Sequence, residues 1–253
     1  QALSSDTLGS RSVAIGDGAL LAQNFTTATQ SNNVAVGYQA GAQITTGTVN
    51  TLIGSLSGDA LTTGNSNVAV GYNSLSTGTG DAGVVAIGHN ALKTLNTNSV
   101  NYNVGVGESA GEAMTTGNQN TLVGGLAGDA LTDADFNVVV GVNALTTDTQ
   151  GSGAVAIGHS ALATQNFATA TSNYNVSVGF QSGLAITTGF HNTFVGGFTG
   201  DALTDADFNT AIGYAALSAD TLGSKSTAIG TQALGSQNFT TATDTYNVAL
   251  GHQ

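Results

Sequence analysis

Residues 33–37 read NVAVG, residues 50–54 NTLIG and residues 67–71 NVAVG, and this repeat decides the fold of the chain. An apolar triplet that ends in glycine recurs fourteen times; most closing glycines lie seventeen positions apart, and four of the steps are two or four positions longer. A fixed period this short indicates that each repeat is one coil of a solenoid and not a separate domain. The closing glycines are Gly16, Gly37, Gly54, Gly71, Gly88, Gly107, Gly124, Gly141, Gly158, Gly179, Gly196, Gly213, Gly230 and Gly251.

Each triplet has the composition of a short β-strand, in which the first and third side chains face the same way. These two positions hold Val, Ile or Thr almost throughout, which favours a packed interior on their side, with the small middle residue facing the opposite way. A second apolar segment follows in each repeat, as at Ile44 and Leu61. The sequence therefore predicts an all-β fold, a parallel β-roll of two sheets with coils of about 17 residues.

Asparagine directly precedes ten of the fourteen triplets. Coils stacked about 4.8 Å apart would bring these amides into register, where they can form a hydrogen-bonded ladder. Turn chemistry is the alternative, because asparagine tolerates left-handed backbone conformations. The candidate ladder residues are Asn33, Asn50, Asn67, Asn103, Asn120, Asn137, Asn175, Asn192, Asn209 and Asn247.

A longer period of roughly 70 residues groups the coils in fours, with one extended coil in each group. Near-copies support it, for example QNFTTAT at 23–29 and 237–243, and GDALTDADFN at 128–137 and 200–209. We therefore expect residues 1–253 to form one continuous solenoid domain, and we interpret the chain as a piece of a longer array.

Composition narrows the classes of function. Of the 253 residues only 7% are charged, and the net charge of −12 includes just three basic residues, Arg11, Lys93 and Lys225. Without a basic stripe to neutralise phosphates, a nucleic-acid partner is not expected. No apolar run approaches the roughly 18 residues of a membrane span, so insertion of this segment into a membrane is not expected either. The chain has no cysteine, hence no disulfides.

The pattern [N/S]-[V/T]-A-[I/V]-G-x-x-[A/S] resembles the head repeats of YadA-like trimeric autotransporter adhesins. The variants GYQAG (37–41), GYNSL (71–75), GHNAL (88–92) and NTAIGYAAL (209–217) resemble repeats of phage tail fibres and related bacterial surface fibres. The resemblance extends over essentially the whole chain. It implies a left-handed parallel β-roll with three chains around one axis, and it carries no catalytic residues.

The middle positions of the triplets supply candidates for a trimer interface. Alanine there would allow another sheet to approach closely, and larger residues recur at three middle positions. Around an axis the larger groups would each contribute roughly 1.5–3 kcal/mol by burial; the alternative is that they lie scattered on a solvent-exposed face. The interface candidates are Leu52, Leu122, Phe194, Ala14, Ala86, Ala156 and Ala228.

The extended coils, at 23–31, 95–101, 165–173 and 237–245, are candidate attachment loops, because binding residues are often found on loops of a rigid scaffold. An aromatic side chain on a polar loop can stack on a sugar. The alternative is that the phenylalanine folds back as a lid over the roll or meets another fibre. The candidate ligand or receptor contacts are Phe25, Phe167, Phe239, Asn24, Asn166 and Asn238.

The acids of the DALTDADF segments are candidate Ca²⁺ ligands, with capping of backbone amides in turns as the alternative. They are Asp129, Asp133, Asp135, Asp201, Asp205 and Asp207. No EF-hand loop or glycine-rich calcium repeat accompanies them, and His89, His159 and His252 have no partners at metal-ligand spacing. The sequence therefore predicts neither a cofactor nor an enzyme.

Together these features predict a structural and adhesive fibre segment, the shaft or head of a virion tail fibre or cell-surface adhesin, located outside the cell. Its partners would be further copies of itself, by trimerisation or end-to-end assembly, and a host-surface glycan or matrix. One alternative is a monomeric solenoid that polymerises end to end into a filament. Another is an ice-binding solenoid, although threonines such as Thr45, Thr46, Thr62, Thr63, Thr115 and Thr116 are predicted near loops.

Overall fold

A computed structural model describes residues 1–252 as an all-β solenoid of fourteen coils, with no helix among those residues. The chain divides into two compact units, Gln1–Gly125 and Leu126–Gln253. Each unit has seven three-residue strands, one from each apolar triplet. The prediction of an all-β solenoid, made from the short and regular spacing of the triplets, is thus confirmed.

The strands of the first unit are short and evenly spaced. They are β1 (Gly9–Ser10), β2 (Val13–Ile15), β3 (Thr29–Gln30), β4 (Val34–Val36), β5 (Thr51–Ile53), β6 (Val68–Val70), β7 (Val85–Ile87), β8 (Val104–Val106) and β9 (Thr121–Val123). The three-residue strands pair in parallel in the order β2-β4-β5-β6-β7-β8-β9. The register follows the repeat, so that Val34 pairs with Thr51 and Thr51 with Val68.

The second unit repeats this arrangement. Its strands are β10 (Val138–Val140), β11 (Gly151–Ser152), β12 (Val155–Ile157), β13 (Thr171–Ser172), β14 (Val176–Val178), β15 (Thr193–Val195), β16 (Thr210–Ile212), β17 (Gly223–Ser224), β18 (Thr227–Ile229), β19 (Thr243–Asp244) and β20 (Val248–Leu250). The three-residue strands pair in parallel in the order β10-β12-β14-β15-β16-β18-β20. Equivalent positions therefore form columns in each unit, as Ser177, Phe194 and Ala211 do.

The closing glycine of each triplet lets successive coils approach closely. Gly37 has a φ of 144°, which L side chains rarely adopt, and an added Cβ would lie 2.5 Å from the carbonyl oxygen of Gly54 in the next coil. All fourteen closing glycines have φ between 121° and 144°. Glycine is required here both by the backbone conformation and by the contact with the neighbouring coil.

The direction of the triplet side chains is opposite to the predicted one. Middle residues face the interior of the single chain and are buried in all but the first and last coils, whereas the first and third residues are partly exposed; Ile53 is 40% exposed. The proposed interface residues therefore belong to the core of the roll and cannot contact another chain. Leu52, Leu122, Phe194, Ala86, Ala156 and Ala228 are fully buried, and Ala14 holds the same position in the first coil.

The wall opposite the sheet is built from turns and not from the predicted second sheet. Its buried apolar side chains include Leu20, Ile44 and Leu61, which pack towards the middle residues of the triplets. The polypeptide there has repeated left-handed residues and coil-to-coil backbone hydrogen bonds, such as that from Gly41 N to Ser57 O at 3.0 Å. Within residues 1–252, the two-residue strands pair beside extended coils, as β1-β3, β11-β13 and β17-β19.

Candidate functional site

An amide ladder runs through the interior of each unit. In the second unit, Asn192 Nδ2 donates to Asn175 Oδ1 at 3.3 Å and to the carbonyl oxygen of Ala206 at 2.7 Å. Asn192 Oδ1 accepts the backbone N–H of Asn209 at 2.9 Å. In the first unit, Asn50 Nδ2 donates to Asn33 Oδ1 and Asn67 Nδ2 to Asn50 Oδ1, and each also donates to a backbone carbonyl oxygen. The side chains are buried, so the ladder satisfies amide groups that would otherwise be costly to bury.

At the extended coils a glutamine connects the ladder to a buried carboxylate. Asn175 Nδ2 donates to Gln165 Oε1 at 2.8 Å, and Gln165 Nε2 donates to Asp148 Oδ2 at 2.6 Å. Asp148 Oδ1 accepts the backbone N–H groups of Gly151 and Phe167, both at 3.0 Å. One carboxylate from the preceding coil thus holds the start of the segment that carries the loop, at Gln165 and Phe167.

The same arrangement recurs 72 residues later, around Asp220. Asp220 accepts hydrogen bonds from Gly223, Gln237 and Phe239, at 3.1, 2.5 and 2.9 Å. Asp6 accepts them from Gly9 and Gln23, at 2.8 and 2.5 Å. Sequence reasoning missed this feature, although its signal is present: Asp-x-x-Gly stands seventeen residues before Gln-Asn-Phe in three of the four copies.

The phenylalanines of the extended coils are anchors and not exposed contacts. Phe25 and Phe167 are 5% and 7% exposed, so the ligand-contact prediction is wrong for these two, and Phe239 holds the equivalent place beside Asp220. The adjoining asparagines are exposed. Their side-chain oxygens accept threonine hydroxyls of the neighbouring coil at 3.2–3.3 Å, Asn24 from Thr7, Asn166 from Thr149 and Asn238 from Thr221.

The candidate calcium ligands are spread over different hydrogen bonds. Asp129 Oδ1 accepts the hydroxyl of Thr146, Asp205 Oδ1 that of Thr188, and Asp207 Oδ1 the backbone N–H of Phe190. Asp133 is exposed, and the backbone N–H of Asp135 donates to Ser152 Oγ. Within residues 1–252, no three His, Asp or Glu side chains form a group that could hold a metal ion.

Asp201 differs from its counterpart Asp129 although both follow the glycine of a GDALTDADFN segment. Its Oδ1 is buried without a hydrogen-bond partner, and burial raises the pKa of this carboxyl above its usual value because desolvation disfavours the charged form. Asp59, at the same position of the third copy, has an unpartnered buried Oδ1 and a pKa raised by burial as well.

We expect Asp201→Asn to stabilise the protein by about 1 kcal/mol at pH 7, because it removes a poorly solvated charge. A raised folded-state pKa means that stability is retained below the unfolded pKa of about 4 and is lost as pH rises through the folded pKa. The gain should therefore vanish at pH 3. Denaturant unfolding at pH 7 and at pH 3 measures this gain in stability. Asp129→Asn is the control: it weakens the hydrogen bond from the Thr146 hydroxyl and should not stabilise the protein.

Two edges border the outer face of the sheet, which we define as the side carrying the first and third triplet residues. The glycine edge follows the closing glycines. There His159 stacks on Phe180 at 5.3 Å between ring centroids, Phe180 contacts Phe198 at 5.2 Å, and Phe198 contacts Tyr214 at 5.9 Å. In the first unit the same edge has Tyr72 stacked on His89 at 5.6 Å.

The asparagine edge precedes the ladder residues. Tyr174 stacks on His191 at 5.5 Å, and His191 lies 5.1 Å from Phe208. The next coil has Lys225, which pairs with Asp244 and lies 5.2 Å from the ring of Tyr246. His89, His159 and His191 thus lie in aromatic columns.

No family model, curated protein or solved structure matches this chain. Residues 1–252 contain no helix with the length and apolar character needed to cross a membrane. Function must therefore be inferred from the outer face, the ladder and the loops.

Proposed function

We propose that this chain is a segment of a homotrimeric fibre, the shaft or head of a virion tail fibre or cell-surface adhesin. Three left-handed rolls would surround one axis, with their outer faces directed towards it. The observation that carries the proposal is the outer face, whose Val, Ile and Thr side chains stay partly exposed in the single chain. Large apolar patches of this kind are rare on soluble monomers and mark interaction surfaces.

The composition of the outer face supports burial against further copies of the chain. The first triplet position is Thr in five of fourteen coils, whereas the third position is Val, Ile or Leu in all fourteen. Neither position has a charged residue. Depletion of charge at a surface centre is typical of protein interfaces. We place the column of third residues closest to the axis, where exclusion of water would be greatest.

The remaining features suit a stiff, attached spacer. Interior ladders and coil-to-coil backbone bonds would hold the roll rigid, and exposed loop segments such as 26–28 and 168–170 would contact a host-surface glycan or matrix. We place the protein outside the cell or on a virion, with no catalytic role, no cofactor, no nucleic-acid partner and no insertion of this segment into a membrane. Threonine hydroxyls such as those of Thr45 and Thr62 donate to the next coil, which disfavours an ice-binding array.

Light scattering of the purified chain tests the assembly directly. A trimer would have three times the 24.9 kDa mass of one chain. A single-chain mass at micromolar concentration would remove the trimer, and a mass that grows continuously with concentration would instead support end-to-end polymerisation.

Lysine at the third triplet position is expected to prevent trimer formation without unfolding the chain. In the variant Ile53→Lys with Ile87→Lys, three ammonium groups would meet at each of two levels of the axis, whereas in a free chain both positions are solvent-exposed. We expect a monomer by light scattering, with an unchanged circular dichroism spectrum. Thr46→Lys with Thr63→Lys, at exposed sites away from the outer face, is the matched control and should remain trimeric.

A further inference from the structure

Aromatic rings border the outer face on both sides in three consecutive coils of the second unit. The segments around their triplets read YNVSVGF (174–180), HNTFVGGF (191–198) and FNTAIGY (208–214). These segments contain no Asp, Glu, Lys or Arg, and Asp207 directly precedes the third one. We name the six rings at their ends the aromatic belt: Tyr174, His191 and Phe208 on the asparagine edge, and Phe180, Phe198 and Tyr214 on the glycine edge. Tyr174 and Tyr214 are 58% and 56% exposed, and Phe180 and Phe208 are both 47% exposed.

We infer that the aromatic belt is the principal contact between neighbouring copies in the trimer. This inference depends on the proposed homotrimer and adds which residues hold it together. In a closed three-fold assembly every contact is heterologous, so the asparagine edge of one copy meets the glycine edge of the next. A pure rotation keeps each strand at one height. At the level of β14, Tyr174 of one copy then meets Phe180 of the neighbouring copy. At the levels of β15 and β16, His191 meets the neighbour's Phe198 and Phe208 meets the neighbour's Tyr214.

The rings on the asparagine edge lie on left-handed backbone. Tyr174, His191 and Phe208 have φ of 51°, 57° and 56°, the left-handed region that bulky side chains rarely occupy. The same column contains Asn32, at φ 51°, which fits this conformation far better. Val49, Tyr102 and Phe136 in the same column have φ of 61°, 55° and 60°, so this conformation belongs to the repeat itself.

The area involved is suitable for a specific interface. Six rings of about 200 Å² each, about half exposed, give roughly 600 Å² at every copy-to-copy contact. That is more than a third of the roughly 1,600 Å² buried in a standard interface, and the outer-face columns supply the remainder. Exposed aromatic residues are common energetic centres of protein interfaces. The equivalent coils of the first unit have small or polar residues at one or both ends, as in SNVAVGY (66–72) and YNVGVGE (102–108).

The first experiment replaces the three strained rings by asparagine, in the variant Tyr174→Asn, His191→Asn and Phe208→Asn. Because asparagine suits the left-handed backbone, the single chain should fold as before or unfold at a slightly higher temperature. We expect the concentration at which trimers dissociate, measured by sedimentation, to rise on the order of a hundredfold or more. Unchanged dissociation of a correctly folded variant would overturn the inference.

A single substitution compares the belt with the rest of the same edge. Phe208→Asn should raise the dissociation concentration about tenfold or more. Tyr102→Asn changes a ring that is more exposed, 65% against 47% for Phe208, at φ 55° in a coil whose glycine edge has Glu108. It should change the dissociation concentration less than about threefold. Equal effects at the two sites would show that the belt is not special.

The second experiment uses the absence of cysteine in the chain. In the variant Phe208→Cys with Tyr214→Cys, β16 holds the two thiols of one chain farther apart than the ~7 Å between Cα atoms that a disulfide spans. Oxidation of the trimer should therefore give covalent trimers, visible by non-reducing electrophoresis. If the parent chain is trimeric by light scattering and the double-cysteine variant is trimeric but does not cross-link, the belt contact alone is overturned. A monomeric parent would overturn the proposed function and the belt contact together.

Discussion

Replacing Gly196 by alanine is expected to destabilise the protein by about 4 kcal/mol. The φ of 138° is outside the range of L residues, and the new Cβ would lie 2.5 Å from the carbonyl oxygen of Gly213 and 2.8 Å from Thr199 Oγ1. The backbone of the next coil would have to move, and the coil-to-coil hydrogen bonds nearby would move with it. Denaturant unfolding of the purified variant measures the loss.

The adjacent residue is a close control. Gly197 has no left-handed φ, and the nearest atoms to an added Cβ are 3.8 Å away. Gly197→Ala should therefore stay within about 1 kcal/mol of the parent, with a gain favoured by the reduced entropy of the unfolded chain. Equal stabilities of the two alanine variants would contradict the explanation that the close approach of the coils requires glycine at Gly196.

The second large effect is expected for Asp148→Leu, which should cost about 4 kcal/mol. The substitution leaves the N–H groups of Gly151 and Phe167 and the amide of Gln165 without their acceptor in a buried site, at about 1–3 kcal/mol each in general. Gln165 cannot simply turn over, because its Oε1 already accepts a hydrogen bond from Asn175. We therefore expect the segment 166–172 to open before the rest of the chain.

Limited proteolysis with mass mapping checks where the opening occurs, alongside denaturant unfolding for its magnitude. New cleavage at 168–170 in Asp148→Leu is the expected result. Asn166→Ala is the matched control on the same segment: it removes an exposed side chain with one hydrogen bond to Thr149 and should change stability by less than about 1 kcal/mol. A variant of Asp148 that unfolds only globally, with no early cleavage, would contradict the role of the carboxylate in holding this segment.

The strands and their register could be predicted from the sequence because the spacing of Val34, Thr51 and Val68 repeats without error. The side on which the triplets face the core could not be inferred from their own letters, since alternation has two possible parities and both contain apolar residues. The asparagines hold the missing information. Asn33 and Ala35 are two residues apart and so share a side, and a buried ladder therefore requires a buried middle residue.

The burial of the phenylalanines in the extended coils could not be predicted, for a different reason. Phe167 looks like a protruding ring when only its own polar neighbours are considered, and its burial depends on Asp148 in the preceding coil. Contacts of this kind cross from one repeat to the next and become visible only when equivalent positions are aligned in columns. The aromatic belt is another example, because its six rings are spread from Tyr174 to Tyr214 in the sequence.

The strict in-register pairing of the coils bears on how such a chain can change over generations. Within the second unit, each of β14, β15 and β16 bonds to its immediate neighbours, and from β14 to β16 the offset is a constant seventeen positions. Excising or copying a stretch such as 180–196 would restore the same kinds of bonds at the junction. Near-identical gene segments recombine readily. The number of coils can therefore change between generations by whole coils while the architecture stays the same.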